Sequence, residues 1–196
     1  MRRLLCIAGV FLLAAISVVC LAGGSQPQAA GTNTQTVSSD LFDFEAAMNG
    51  TVVKFPVQTA KLQKLGWHVQ EEPGVSKLEP KFGSCAKMVF TPTGGQEALL
   101  MGNFYNAGKE AAELSETVVT NPLFSEEWMA GINLEFAGGL HFGDSRERVV
   151  QAYGEPTTRS RNVYIYRKDG SSREEYVELI FQDDRLTDYH MHNEQN

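Results

Sequence analysis

The segment Gly143-Asp144-Ser145-Arg146-Glu147-Arg148-Val149-Val150-Gln151-Ala152-Tyr153-Gly154-Glu155-Pro156 constrains the fold more than any other. Asp144 is placed to cap the free amides of a first helical turn, and Glu147 three residues on completes a capping box. Val149, Val150 and Tyr153 share one apolar face. Gly154 supplies the left-handed residue that closes the helix, and Pro156 forbids its resumption. A helix this short and apolar on one side draws its stability from packing, so it is expected against a sheet.

Three period-two stretches follow, at 163–167, 176–182 and 186–192, separated by Lys168-Asp169-Gly170-Ser171-Ser172 and by Asp183-Asp184. In the middle stretch Val177, Leu179 and Phe181 point toward the helix, and Glu178 and Gln182 toward water. An earlier segment repeats the plan with Phe55-Pro56 and Thr59-Ala60-Lys61-Leu62-Gln63-Lys64-Leu65-Gly66-Trp67, a short helix with Leu62 and Leu65 inward. Each helix follows a hairpin-like approach, around Asn49-Gly50 and around Gly138-Gly139, and Asn-Gly accepts the positive φ that tight hairpins demand. Strands at 86–91 and 97–105 would complete a first sheet, with 115–120 and 128–136 leading into a second. The expected fold is therefore α+β: two tandem units, 40–120 and 121–196, each a short helix packed on an antiparallel β-sheet.

The chain opens with Arg2 and Arg3, an uncharged apolar stretch over 4–22, and then the small residues Gly23 and Gly24. That order is a secretory signal sequence over 1–22. About 20 apolar residues also suffice to cross a bilayer, but no basic residue follows until Lys54, so a stop-transfer flank is lacking. Ser17-Val18-Val19-Cys20 resembles a lipobox, which makes Cys20 a lipid-attachment residue. Ordinary cleavage after Ala22 is the alternative. Residues 23–39 carry no charge and no aromatic side chain, and read as a flexible tether. The expected address is extracytoplasmic, either membrane-anchored through an N-terminal lipid or signal sequence, or secreted.

Without Arg2 and Arg3 the chain holds 15 basic and 24 acidic residues. This acidic balance excludes nucleic acid as a partner and disfavours adhesion to anionic headgroups. Cys85 is the one cysteine beyond the tether, so no intrachain disulfide is available, and it is expected as a small buried hydrophobe. Neither a nucleophile elbow nor a Gly-rich phosphate loop after a strand is present. The acidic pairs Glu71-Glu72, Glu126-Glu127 and Asp183-Asp184 are neighbours in sequence, unlike the converging carboxylates of acid–base catalysis.

No catalytic residue, metal or cofactor is therefore assigned. The expected function is that of a non-enzymatic binding or scaffold protein, its partner an envelope protein or a surface polymer. Phe124 and Trp128, in the loop-like run Asn121-Pro122-Leu123-Phe124-Ser125-Glu126-Glu127-Trp128, are candidate partner-binding residues, with packing in the core as their other use. The alternatives are an inhibitor of a secreted enzyme and a metal-dependent hydrolase. For the latter, His190-Met191-His192 sets two imidazoles on one strand face, His141 approaches from the turn before the helix, and Asp188 or Asp144 adds a carboxylate for zinc.

The Gly-Asp-Ser helix start, the Tyr-Gly-Glu-Pro helix end, the pair Tyr164-Ile165-Tyr166 and the terminal strands with Leu179, Phe181 and Leu186 resemble the outer-membrane assembly lipoprotein family BamE (SmpA/OmlA). Tandem use of that unit resembles the β-lactamase-inhibitor-protein fold, whose disulfides this chain lacks. The whole order of hairpin, Leu-Gly-Trp helix, Phe-Gly-Asp helix and Tyr-Gly-x-Pro is similar to uncharacterised Gram-positive extracytoplasmic lipoproteins. These resemblances imply action by binding protein partners, and carry no functional residue across.

Overall fold

A computed structural model describes residues 36–70, 77–91, 95–170 and 174–193 of the chain. The expected signal sequence, Cys20 and most of the expected tether lie outside the described residues. No described helix is long and apolar enough to cross a membrane.

Asn49 and Gly50, at φ 51° and 79°, turn the chain between β1 (Glu45–Met48) and β2 (Thr51–Lys54), as the Asn-Gly signal requires. Next come β3 (Val57–Gln58), helix α1 (Thr59–Lys64), β4 (His68–Gln70) and β5 (Lys77–Leu78). The long strands β6 (Gly83–Phe90) and β7 (Ala98–Tyr105) follow, then β8 (Ala112–Glu113), β9 (Val118–Ser125) and β10 (Leu134–Phe136). The C-terminal part holds α2 (Arg146–Tyr153), β11 (Thr158–Arg159), β12 (Val163–Arg167), β13 (Glu175–Gln182) and β14 (Arg185–Asn193).

The principal sheet is antiparallel in the order β11-β12-β13-β14-β9-β7-β6-β4, and β3 adds to β9. One edge of β9 pairs with β7. Its other edge is divided, with Val118 and Val119 facing β3 and Leu123, Phe124 and Ser125 facing β14. The division falls at Asn121, at φ 48°, and Pro122, where the ladder to β7 also shifts register. Proline lacks the amide a regular central ladder needs, so the strand bulges there instead of ending. A three-stranded sheet β10-β1-β2 shares the core with the principal sheet through Ala46, Met48, Val53, Phe124 and Tyr189.

This overturns the expected fold class of two helix-on-sheet units. Strands take 48% of the described residues and helical turns 16%, and the fold is β-rich. The strand β9 carries the principal sheet across residues 120 and 121, and one core cluster runs from Leu41 to Met191. Thr34–Asn196 is a single compact unit.

Local expectations fare better. The bounds of α2 and β12–β14 fall within a residue or two of those expected. Ser145 rather than Asp144 is the cap, accepting from the Arg148 amide at 3.2 Å, while Asp144 accepts from the His141 amide at 2.9 Å. The approach around Gly138-Gly139 forms only a bridge between Phe136 and Leu140, because β10 pairs instead with β1. Val37, placed in the tether, is buried against Ala47 and Val52.

Candidate functional site

In β6, β7, β12, β13 and β14, residues alternate between the core and the opposite, outer face of the sheet. One row on that face crosses seven strands: Ile165, Glu178, His190, Leu123, Met101, Lys87 and Gln70 are opposed in turn. Val163, Ile180, Leu99 and Val89 flank it, all partly exposed. The outer face thus combines apolar side chains with a polar group at β13–β14.

That polar group consists of Glu178, His190 and His192. Their ligand atoms all lie within 4.8 Å of one another. Glu178 Oε2 is 4.0 Å from His192 Nε2, and the two side chains are 26% and 28% exposed. His192 Nε2 is buried with no hydrogen-bond partner. The His192 ring stacks on Tyr176 at 3.9 Å with 10° between planes, and the Arg167 guanidinium lies 5.0 Å from the centre of the Tyr176 ring. Asp188, two residues before His190, accepts from the Thr187 hydroxyl at 2.8 Å.

Burial pushes the His190 imidazole below its ordinary pKa, against the pull of Glu178 and Asp188. Burial, then His190 and Arg167, push His192 down to about 4. Both imidazoles are therefore neutral at pH 7 and have lone pairs to offer.

His141 does not join them. Its Nδ1 lies 2.6 Å from the Leu134 carbonyl, beside the three-stranded sheet, and its backbone amide is tied to Asp144. The carboxylate that does join is Glu178, which sequence reasoning placed in water and did not connect with the histidines. The signal was a break in alternation on β14: Leu186, Tyr189 and Met191 all face the core, so one residue between Leu186 and Tyr189 is extra. With a regular two-residue turn at Asp183-Asp184, Glu178 would oppose Tyr189. The bulge moves it opposite His190, onto the same face.

Phe124 is not at the surface. It is fully buried, edge-on to Phe55 at 6.0 Å and Phe136 at 5.5 Å. Trp128 is half-buried, and its carbonyl accepts from the Leu99 amide at 2.8 Å. Cys85, expected inside, is exposed on the outer face. It lines a shallow hollow of about 230 Å³ with Gly83, Asn103, Tyr105 and Asn121. Asn121 in turn exchanges amide–side-chain bonds of 3.0 and 2.7 Å with Asn193, next to His192.

No protein-family model matches this sequence, and neither a curated protein nor a solved structure gives a match.

Proposed function

We propose that the chain is an extracytoplasmic, non-enzymatic binding module whose partner is a protein that seats on the outer face of the principal sheet. The carrying observation is the row from Ile165 to Gln70, flanked by partly exposed aliphatic residues. The eight strands are two to nine residues long, and at a rise of about 3.3 Å per residue and a spacing of about 4.8 Å they present about 800 Å² together. That is the area one partner contributes to an interface of standard size. A sheet face with aliphatic residues at its middle and carboxylates, imidazoles and Lys87 among them suits a protein surface better than a uniformly polar glycan. The address rests on Arg2, Arg3 and the apolar stretch that follows, with Cys20 or the bond after Ala22 as the processing point.

The test is a photo-crosslinking amino acid placed in turn at Met101, Ile165 and Gln151 in the producing cell. An adduct of one defined mass is expected from Met101 and Ile165. None is expected from Gln151, which is exposed on α2. Leu123→Arg should abolish the adduct without lowering the melting temperature by more than a few degrees. Adducts that do not depend on the face, or none from either sheet position, would reject the reading.

A further inference from the structure

We propose that Glu178, His190 and His192 form a binding site for a divalent transition-metal ion of the zinc class. The donor set is two imidazole nitrogens and one carboxylate oxygen, the mixture that zinc accepts with bonds of about 2.0–2.2 Å. In a tetrahedral site, donors at such bond lengths stand about 3.3 Å apart. The three ligand atoms here already lie within 4.8 Å of one another, so ligation would draw them together by up to about 1.5 Å through rotation about side-chain torsions.

The backbone supports this placement. His190 and His192 alternate on one strand and so project from the same face, with ring centres 6.4 Å apart. Glu178 is held opposite His190 by the ladder of β13 and β14. The stack on Tyr176 holds the plane of the His192 ring, a role that hydrogen-bonded outer partners fill for most metal-bound imidazoles.

Charge also suits a cation. Near the imidazoles the carboxylates Glu178 and Asp188 stand against the Arg167 guanidinium beyond the Tyr176 ring, and Lys87 on the same face lies three strands away from His190. Ligation would further resolve an otherwise unexplained feature, the buried His192 Nε2 without a hydrogen-bond partner. Three protein ligands leave a fourth position open toward the outer face, where water would complete the shell.

The test titrates zinc sulfate into tag-free Thr34–Asn196, a unit whose core closes on itself. One ion per chain is expected by calorimetry. Glu178→Gln should weaken binding at least about tenfold, and His190→Ala with His192→Ala should abolish it. Cobalt(II) should show the visible bands of a tetrahedral site, and zinc should move the imidazole resonances of His190 and His192 while leaving those of His68 and His141 in place. Absence of saturable binding, binding that survives the double substitution, or shifts confined to His68 or His141 would overturn the proposal. Should the double variant not fold, His192→Asn and Glu178→Gln decide, and wild-type affinity in both overturns it. None of these readouts depends on a protein partner.

Discussion

His192 occupies an unfavourable place for an imidazole that takes up a proton. Its ring lies flat on Tyr176, its Nε2 is buried without a hydrogen-bond partner, and Arg167, joined by His190 once that ring is protonated, adds positive charge nearby. In the metal-free folded chain its pKa falls to about 4, whereas the unfolded chain binds the same proton near 6.5. Between these values the unfolded state holds more protons, so stability declines as pH drops through the window from about 6.5 to 4. The opposing carboxylates Glu178 and Asp188 act mainly on His190, whose pKa nevertheless falls. With partial exposure discounted, the loss between pH 7 and 5 is on the order of 1 kcal/mol for His192, or about 2–4 °C in Tm. Thermal melts in chelator should show His192→Gln with a shallower decline than wild type over this range. Parallel curves would mean that the ring is not desolvated.

Helix α2 shows what local sequence determines and what it leaves open. Its length, its apolar face and its closure at Gly154, at φ 79°, follow from residues within fourteen positions of each other. The choice of cap between Asp144 and Ser145 does not, because either side chain can accept an amide. Asp144 is taken by the His141 amide, and Ser145 is left to receive Arg148. Ser145→Ala should therefore cost about 1 kcal/mol and lower Tm by roughly 2–4 °C in calorimetry. No loss would return the cap to Asp144.

The strands divide in the same way. The C-terminal hairpins were legible because period-two patterns and turn residues are local. The course of β9 was not, since Asn121-Pro122 reads as a turn until neighbouring strands on both sides hold the bulge within a sheet. The site was half legible. Spacing alone puts His190 and His192 on one face, whereas Glu178 joins them only through a bulge across the hairpin.

For the whole molecule, the consequential fact is where β9 sits. Residue pairing makes it the central member that joins the N-terminal strands β6 and β7 to the C-terminal hairpin β13–β14. Phe124 on this strand touches Phe55 from the first half and Phe136 from the second, and Phe136 stacks at 4.0 Å on Tyr189 of β14. Two tandem units would each need a closed core, and the apolar residues of this chain are shared instead. Shared burial makes unfolding of either half expose the other, so Thr34–Asn196 should unfold in one cooperative step. Trp67 lies in the first half, and Trp128 follows β9. Urea titrations of the single-tryptophan variants Trp67→Phe and Trp128→Phe, each read by fluorescence and by far-UV dichroism, should give coincident transitions within each protein. Phe124→Ala removes the aromatic contact between halves and should cost about 3–5 kcal/mol, moving the midpoints of both probes together. If the Trp128 signal shifted while the Trp67 signal stayed in place, the halves would be energetically separate and the single-core account would fail.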